Sequence, residues 1–533
     1  MPDAVPLAWT EGVRLHDVVD RAAGRTPDAP GLIDGDHVST FAGLADRVAR
    51  ASGFVAGCTA PGDRVAVVGE NHRSWVDAYY GVPRAGRILV FGNHRLAAPE
   101  LRSVLERSGS RVLVGPREEL DRIDPPTPVA RIDLDDWEAG LAATALGDGD
   151  PAPATAPGVG ADADAWIIYT SGTTGRSKGA VLTHASVLAA VRASDACRTV
   201  PPDEVYLLPF PLAHIAGYNV VHHHARGVPG VLLARFDPAD FVATVARRQV
   251  TSASLAATML HALLGYLDQH PAAVADLASL RQIHYGAAPM PTPVLRAARE
   301  RLGVDFSQGY GMTELSGNAV FLAADDHRKG LAGDDMLLRA AGRPAPGVSV
   351  RVVDDDRRTV PAGVPGEIEV RAPQVMDRYW EEPEATATAL ADGWLRTGDV
   401  GRLAPDGLLT IVDRKKDVIV TGGENVSSLE VEQVIHTVPA VGEVAVVGVP
   451  DPRWGENVCA VVVPRPGALD ADAEADALAE VVVAAVRAEL AGYKSPRHVV
   501  MVDALPKNAT GKVVKAELRA WLAEHPERLG TRR

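Results

Sequence analysis

Residues 169–179 have the clearest chemical character in this sequence. They read Tyr-Thr-Ser-Gly-Thr-Thr-Gly-Arg-Ser-Lys-Gly and combine glycines, hydroxyl side chains and Lys178. Glycines let backbone N–H groups approach an anion, hydroxyls add neutral donors, and a lysine adds a positive charge. A flexible linker has a similar composition, but apolar runs at 166–169 and 180–182 flank the segment. The pattern therefore predicts a polyphosphate-binding loop between two strands.

The spacing of this loop differs from that of a Walker A motif. The Walker A motif places four residues between its first glycine and a Gly-Lys-Ser/Thr unit. Here Lys178 follows Ser177 and precedes Gly179. The spacing therefore excludes a Walker A loop.

The elements that must position the loop alternate short apolar runs with helix-length stretches. Runs at 65–68 and 112–114 each end at a glycine, which indicates βαβ units and a buried parallel sheet. Residues 147–165 are rich in Gly, Pro, Ala and Asp and predict a surface linker. Charged and apolar side chains alternate at 367–371, which predicts a half-solvated antiparallel strand.

The C-terminal stretch has the pattern of a small separate unit. Ser427 and Glu430 predict a capping box at the start of a helix. Apolar runs at 444–449 and 458–463 predict strands. Apolar residues spaced by four between 478 and 490 predict an amphipathic helix.

Composition and charge narrow the class of protein. The chain has 533 residues and a formal net charge of −15, which argues against nonspecific binding to nucleic acid or to an anionic membrane surface. Cys58, Cys197 and Cys459 are too few and too far apart for a disulfide framework or paired zinc ligands. The first residues lack the basic and apolar regions of a secretory signal, and no apolar run reaches the length of a membrane span. We expect a cytoplasmic, multidomain enzyme with no nucleic-acid partner and no membrane span.

The phosphate loop resembles that of the adenylate-forming superfamily, which includes acyl-CoA synthetases, aryl-CoA ligases, peptide-synthetase adenylation domains and beetle luciferases. Further segments resemble the other motifs of this superfamily in the same order along nearly the whole chain. They lie at residues 208–214, 285–290, 308–314, 394–399, 413–416 and 506–512. The overall pattern is most similar to bacterial fatty-acyl-CoA ligases.

The resemblance implies an α/β fold with two domains. Residues 1–415 would form a large N-terminal adenylation domain, made of two βαβ-type subdomains and a distorted β-barrel. Lys416 would be the hinge, and residues 417–533 would form a small, mobile α+β domain that carries the catalytic lysine.

The resemblance also implies a reaction in two steps. A carboxylate attacks the α-phosphorus of ATP and pyrophosphate leaves, and the thiol of coenzyme A then attacks the acyl-adenylate. The expected cofactors are ATP and Mg²⁺, with coenzyme A as cosubstrate and a small-molecule carboxylic acid as the other partner. Electrostatic stabilisation should dominate the first step because two anions must meet.

The resemblance assigns roles to residues that match its motifs. Lys512 would lie between the attacking carboxylate and the α-phosphate, Glu314 would bind magnesium, and Thr313 would donate to the α-phosphate. Tyr310 would lie against the adenine, and Asp399 and Arg414 would bind the ribose. The full set implied for ATP is Thr170, Ser171, Gly172, Thr173, Thr174, Gly175, Lys178, Gly286, Ala287, Ala288, Gln308, Gly309, Tyr310, Gly311, Met312, Asp399, Ile411 and Arg414.

The acid and coenzyme A sites are less sharply defined. The resemblance implies an acid pocket lined by His214, Ala216, Gly217, Asn219 and Gly311, with His214 also counted among the catalytic residues. Small residues where related ligases often carry aromatics, such as Ala213 and Ala216, predict a wide pocket for a fatty or an aryl acid. Gly422 and Gly423 would leave room for pantetheine, although a structural glycine turn explains them equally well.

Other readings of the same motifs stay open. The acyl group could pass to an acyl-carrier protein, or nitrite could be activated for attack by an aryl amine, as in diazotase-like members. A non-catalytic nucleotide-binding module would require the loss of a charged motif residue, and Lys178, Glu314, Asp399, Arg414 and Lys512 are all present. A homodimer is compatible with the sequence. A metal site at His222, His223 and His224 is disfavoured because consecutive side chains point in different directions.

Overall fold

A computed structural model describes residues 7–126, 128–145, 156, 158–170, 177–286, 290–465, 467–468, 472–507 and 512–529. The chain forms two compact units. The first consists of Met1–Met290, Ala297–Val350 and Val370–Arg396, and the second of Pro291–Arg296, Arg351–Glu369 and Thr397–Arg533. Within the described ranges, no helix is both long and apolar enough to cross a membrane.

The helices are distributed over both units. They are α1 Leu15–Arg25, α2 Phe41–Cys58, α3 Arg73–Arg84, α4 Ala98–Ser108, α5 Arg117–Ile123, α6 Leu134–Ala143, α7 His184–Cys197, α8 Tyr218–Arg226, α9 Pro238–Arg248, α10 Ala257–Gln269, α11 Thr292–Leu302, α12 Ala324–Leu331, α13 Asp335–Leu338, α14 Pro383–Ala389, α15 Ser428–Ile435, α16 Asp472–Glu489 and α17 Lys515–Glu524.

The strands alternate with these helices in the first part of the chain. They are β1 Pro30–Asp34, β2 His37–Thr40, β3 Arg64–Val68, β4 Ile88–Gly92, β5 Ser110–Gly115, β6 Ala130–Asp133, β7 Asp164–Thr170, β8 Lys178–Thr183, β9 Tyr206–Leu208, β10 Gly230–Leu232, β11 Ser252–Leu255, β12 Gln282–Gly286, β13 Asp305–Met312, β14 Gly317–Leu322, β15 Arg343–Pro344, β16 Ser349–Val353, β17 Gly366–Arg371, β18 Arg378–Tyr379, β19 Leu390–Ala391, β20 Trp394–Leu403, β21 Leu409–Arg414, β22 Ile419–Thr421, β23 Glu424–Val426, β24 Val441–Asp451, β25 Gly455–Pro464 and β26 His498–Met501.

Two sheets of the first unit position the motifs predicted to bind ATP. One has the order β15-β14-β13-β12-β11-β9-β10-β1-β2, and the other has the order β18-β8-β7-β4-β3-β5-β6. Strands β3, β4 and β5 pair in parallel, which confirms the βαβ units predicted from their apolar runs. In contrast, β7 and β8 are antiparallel, so the glycine-rich segment connects two neighbouring strands of one sheet.

The C-terminal part of the second unit is built on a separate sheet. Its order is β23-β22-β25-β24, with β26 pairing β25. The apolar stripe of α16 packs on one side of this sheet, and the apolar residues of α17 belong to a second cluster with alternate residues of β24 and β25. The predicted strands and helices of this region are therefore confirmed, with α15 and α16 ending at Ile435 and Glu489.

A third sheet has the order β16-β17-β20-β19, with β21 pairing β20. The burial of residues on its strand β17 corrects one prediction. The alternation at 367–371 predicted a half-solvated strand, but Glu367 is only 7% exposed and Glu369 is fully buried. Arg351 and Arg357 donate to the carboxylate of Glu369 at 2.9 and 2.8 Å. Burial alone would raise the pKa of Glu369, but these hydrogen bonds outweigh it and lower the pKa. The prediction was wrong because residues distant in sequence supply the countercharge.

We expect Glu369→Gln to destabilise the second unit by about 3 kcal/mol, because it leaves two arginines without their shared carboxylate. The midpoint of urea-induced unfolding at neutral pH measures this loss. Asp356→Asn is the matched control, because Asp356 makes an exposed ion pair with Arg358. Equal unfolding midpoints for Glu369→Gln and the control would contradict the structural role of Glu369.

Candidate functional site

The phosphate loop starts and ends on paired residues of one hairpin. Thr170 ends β7, Lys178 begins β8, and the two are register partners. Arg107 of α4 donates to the backbone oxygen of Ser177 at 2.6 Å, which holds the loop where it enters β8. Ser171, Gly172, Thr173, Thr174 and Gly175 lie outside the described residues, as do Ala287 and Ala288. The hairpin therefore fixes Thr170 and Lys178 side by side.

Glu314 lies close to both ends of this hairpin. It sits on a 3₁₀ turn, Thr313–Leu315, directly after β13, and is only 5% exposed. Its Oε1 accepts hydrogen bonds from Thr170 Oγ1 at 3.2 Å and from the Tyr379 hydroxyl at 2.9 Å. Lys178 Nζ lies 5.2 Å from the centre of the Tyr379 ring. The structure thus brings Glu314 together with Thr170 and Lys178, residues that were predicted from two separate motifs.

Tyr379 is a site residue that the sequence reasoning missed. It lies on β18, which pairs with β8 in the antiparallel direction, so that Tyr379 is opposite Ala180. Burial, together with the negative charge of Glu314, raises the pKa of Tyr379 well above its usual range. Tyr379 therefore stays protonated and donates to Glu314. In the sequence, Tyr379 stands out only through the run of large side chains Arg378-Tyr379-Trp380, which belongs to none of the motifs described above.

The geometry of Glu314 suits a magnesium ion. Among the described residues only Oε1 has hydrogen-bond partners, so Oε2 is left to coordinate a cation. Magnesium commonly takes one or two carboxylates and fills its other positions with phosphate oxygens and water. The described residues contain no cluster of three or more metal-binding side chains. A magnesium site completed by phosphate oxygens and water does not require such a cluster.

The adenine-side residues lie on β12, β13 and the turn that follows. Gly286 is the register partner of Gly309, and Tyr285 donates its hydroxyl proton to Gln308 Oε1 at 3.2 Å. A side chain on Gly309 would meet Asn318, so this position allows a close approach that only glycine permits. The predicted residues Tyr310, Gly311 and Met312 complete β13, and Thr313 begins the 3₁₀ turn.

A second group of predicted residues comes together within the second unit. Asp399 on β20 and Arg414 at the end of β21 are register partners, and Arg414 Nε lies 3.2 Å from Asp399 Oδ1. Asp399 is 6% exposed, whereas almost half of the Arg414 side chain is exposed. Ile411 lies half-buried on β21, opposite Gly401. An oriented carboxylate beside an exposed guanidinium can accept from and donate to a sugar diol.

Lys512 lies within electrostatic reach of this pair. Its burial and the positive charge of Arg414 lower the pKa of Lys512 to about 8, while the charge of Asp399 opposes that shift. Residues 508–511 lie outside the described residues. An antiparallel bridge between Lys507 and Val513 holds the two ends of the segment together. Lys512 is therefore a cation with a lowered pKa beside the predicted ribose-binding pair.

The segment that carries His214 is fixed to the first unit by buried polar groups. Asn71 donates to the backbone oxygen of Phe210 at 2.9 Å and accepts from the backbone N–H of Leu212 at 2.6 Å. The buried Tyr79 hydroxyl donates to the oxygen of Leu212. His214 comes next in the chain and lies directly before a 3₁₀ turn, Ile215–Gly217. This turn and the first residues of α8 contain Ala216, Gly217 and Asn219, the residues predicted to line the acid pocket.

The three consecutive histidines on α8 point to different partners. His222 Nε2 lies 3.3 Å from Asp195 and His223 Nε2 lies 3.2 Å from Glu204, while His224 hydrogen-bonds to Tyr80 and Gly31. Burial lowers the pKa of His222 to about 4 and that of His224 to about 3. Each ring therefore serves a separate buried polar contact.

The residues around the predicted hinge and coenzyme A site form tight turns. Lys416 follows β21, and its backbone oxygen accepts from Arg519 at 3.4 Å. Gly422 and Gly423 connect β22 to β23, both with positive φ, at +60° and +85°. A two-residue hairpin loop with this backbone favours glycine for conformational reasons alone. The hairpin geometry thus explains these glycines by itself. That they leave room for coenzyme A stays a prediction.

Comparison with known proteins agrees with this geometry. The sequence profile of the AMP-binding enzyme family matches residues 19–380, and that of the AMP-binding enzyme C-terminal domain matches residues 430–512. A feruloyl-CoA synthase of an Amycolatopsis species is 37% identical over 511 residues, covering 94% of this chain and 97% of that protein. The fatty acid–[acyl-carrier-protein] ligase ScoC of Streptomyces coeruleorubidus is 34% identical over 513 residues, covering 93% and 94%.

A solved structure of a similar protein contains the expected nucleotide and metal. It is the o-succinylbenzoate coenzyme A synthetase MenE of Bacillus subtilis in complex with ATP and magnesium ion. That chain is 30% identical and has a TM-score of 0.78, with 94% of this chain and 99% of that chain covered. The fold of the present chain, with its larger first unit and smaller second unit, matches that of an adenylate-forming enzyme. The profile matches and the extent of the similarity show that this chain belongs to the AMP-binding enzyme family and is an adenylate-forming enzyme of the acyl-CoA synthetase kind.

Proposed function

We propose that this protein is an AMP-forming acid–thiol ligase that converts a carboxylic acid to its acyl-adenylate and then to a coenzyme A thioester. The observation that carries the proposal is the convergence of Lys512, Asp399 and Arg414, which the sequence assigned to three distant motifs. A cation with a lowered pKa next to a diol-binding pair suits a nucleotide whose α-phosphate must be neutralised.

In the first step, a carboxylate oxygen of the acid forms a bond to the α-phosphorus of ATP as the bond to pyrophosphate breaks. Asp399 accepts from the ribose hydroxyls and Arg414 donates to the same sugar, which orients the nucleotide. The ammonium group of Lys512 offsets the charges of the carboxylate and of the α-phosphate, and Thr313 donates to that phosphate. Lys178 and the hydroxyl-rich loop bind the leaving phosphates.

Glu314 would hold magnesium through Oε2, since Oε1 is engaged by Tyr379 and Thr170. Bound magnesium supplies charge neutralisation on the phosphate oxygens. Tyr379 and Thr170 orient the carboxylate in advance, so that little reorganisation is needed when the cation arrives.

In the second step, the thiol of coenzyme A loses its proton to solvent, its sulfur bonds to the acyl carbon, and AMP leaves with the electron pair of the broken acyl–oxygen bond. We propose that residues 417–533 rotate about Lys416 between the two steps, so that Lys512 moves away from the acyl-adenylate. Gly422 and Gly423 would then lie beside pantetheine, where the absence of side chains leaves room.

A screen of fatty, aryl and dicarboxylic acids tests this proposal. We expect pyrophosphate release that depends on the acid, trapping of the acyl-adenylate by hydroxylamine, and formation of a thioester only when coenzyme A is added. ATP turnover that does not depend on a carboxylic acid would contradict the proposal. So would nucleotide binding without turnover on any acid.

A carrier protein is the second candidate acceptor, and the similarity to ScoC supports it. The adenylating residues would be the same, because only the thiol of the second step changes. Parallel assays with coenzyme A and with a phosphopantetheinylated carrier protein distinguish the two acceptors by the product that carries the acyl group.

We also propose that the enzyme acts in the cytoplasm. Cys58, Cys197 and Cys459 are free, which fits a compartment that keeps thiols reduced. Fractionation of the producing cells with an antibody against the protein tests this assignment.

The lowered pKa of Lys512 predicts an alkaline limit to the first step. We expect kcat/KM for the acid to fall as the pH rises through about 8, because Lys512 then loses the proton that carries its charge. Asp399→Asn should move this limit to lower pH, since the carboxylate of Asp399 opposes the lowering of the pKa. Lys512→Arg is the control, because arginine stays charged throughout and should remove the limit. An unchanged alkaline limit in Lys512→Arg would show that another group titrates.

A further inference from the structure

Arg198 is a buried cation that forms no ion pair with another described residue. It follows the last residue of α7 and is only 7% exposed. Its Nη1 donates to Asn219 Oδ1 at 3.0 Å, and its Cζ lies 5.4 Å from the centre of the Phe321 ring. Among the described residues, no carboxylate oxygen lies within 4 Å of the guanidinium, and Nε has no hydrogen-bond partner. Buried charges in proteins are normally paired, so this arginine calls for a ligand.

The hydrogen bond of Nη1 leaves one edge of the guanidinium unused. Nε and Nη2 form the edge that can bind both oxygens of a carboxylate at once. Nη2 lies 3.1 Å from the position that a Cβ on Gly309 would occupy. The unused edge therefore lies beside the backbone of Gly309 and close to the side chain of Asn318.

The position of Arg198 places it on the acid side of the proposed site. Its partner Asn219 follows the His214–Gly217 segment, and Gly309 lies on β13, which leads to Thr313 and Glu314. A strand rises about 3.3 Å per residue, so about 10 Å of β13 separate Gly309 from Met312. The guanidinium is thus well removed from the carboxyl group that would be activated.

The acidic residues around Arg198 are already engaged by other donors. Asp195 of α7 is bound by Arg226 and His222, and Glu204 is bound by His223 and Ser252. His284 is buried nearby, and its burial and the charge of Arg198 lower its pKa well below the usual range, which keeps it neutral. None of these groups forms an ion pair with Arg198 among the described residues.

We propose that Arg198 determines substrate specificity by binding a second carboxylate, at the end of the acid remote from the carboxyl group that is activated. The substrate class is then a dicarboxylic acid whose two carboxyl groups are well separated. This inference rests on the proposed function, because it names the acid that the same site adenylates. An uncharged tail would leave the guanidinium buried and unpaired, which disfavours simple fatty and aryl acids.

The test compares linear, symmetric dicarboxylic acids of graded length, each with its own monomethyl ester, by pyrophosphate release. We expect the best diacid to exceed its half-ester in kcat/KM by tenfold to a hundredfold, mainly through a lower KM. Arg198→Met should bring this ratio close to one, and Arg198→Lys should restore part of it. Arg192→Met is the matched control on α7, the helix that Arg198 directly follows, because Arg192 donates to Thr10 and not to the proposed ligand.

The outcomes separate this inference from the proposed function. If half-esters or simple monoacids match the diacids at every length, or if Arg198→Met keeps the wild-type ratio, the role of Arg198 is disproved and the ligase function stands. If no acid releases pyrophosphate, both fail. Thermal unfolding and AMP binding would reveal whether Arg198→Met folds. If it does not fold, the comparison of diacids with their half-esters on the wild-type enzyme still tests the role of Arg198.

Discussion

Lys512→Gln should slow acid-dependent pyrophosphate release by about 10² to 10³, because it removes the positive charge that allows two anions to meet. Transfer of the acyl group from a supplied acyl-adenylate to coenzyme A should persist, since Lys512 takes no part in that step. The separation of the two half-reactions distinguishes loss of this charge from general damage to the fold.

Lys507→Gln is the matched control for Lys512→Gln. Lys507 lies on the same segment, is exposed, and pairs with Glu443 at the surface. Surface ion pairs of this kind contribute little to stability, so this variant should keep both half-reactions. If Lys512→Gln and Lys507→Gln lose adenylation equally, the charge of Lys512 is not the cause.

Glu314→Gln should reduce adenylation by about 10² and raise the magnesium concentration needed for half-maximal rate, because an amide is a poorer magnesium ligand than a carboxylate. A magnesium titration of pyrophosphate release at saturating ATP measures both effects. Tyr379→Phe keeps the carboxylate and removes one of its two hydrogen bonds, so a loss of about tenfold is expected.

The relative losses of activity in Glu314→Gln and Tyr379→Phe test the role assigned to Glu314. If Tyr379→Phe is as damaging as Glu314→Gln, then orientation of the carboxylate, and not its charge, limits the reaction. An unchanged magnesium dependence in Glu314→Gln would contradict the role of Glu314 as the metal ligand.

Much of this site was accessible from the sequence because its residues lie in short, ordered segments. Thr170 and Lys178 were assigned to ATP from one motif and Glu314 from another, and the structure joins them through one hairpin and one turn. Asp399 and Arg414 were assigned to one sugar, and they are register partners on β20 and β21. Local pattern sufficed here because these motifs lie on or directly beside strands that the fold fixes.

Other residues could not be predicted because their roles depend on contacts between distant parts of the chain. Tyr379 reaches Glu314 only because β18 pairs with β8. Arg198 lies in an ordinary helix-to-loop stretch, and only the structure shows that it is buried and forms no ion pair with another described residue. Glu369 looked solvated because period-two alternation carries no information about the arginines that neutralise it.

The contacts of Asp413 have a consequence for the timing of the two steps. Asp413 is almost fully buried, and its Oδ2 accepts from the backbone and side chain of Ser428 at 2.6 and 2.7 Å. The two residues lie on opposite sides of Lys416, so a rotation there that separated them would transfer both contacts to water. Each hydrogen bond to a charged group is worth about 1.5–3 kcal/mol, so these contacts would oppose the proposed rotation. Departure of pyrophosphate and arrival of the thiol substrate would then act as the trigger, and random thermal swinging would seldom expose the reactive anhydride to water.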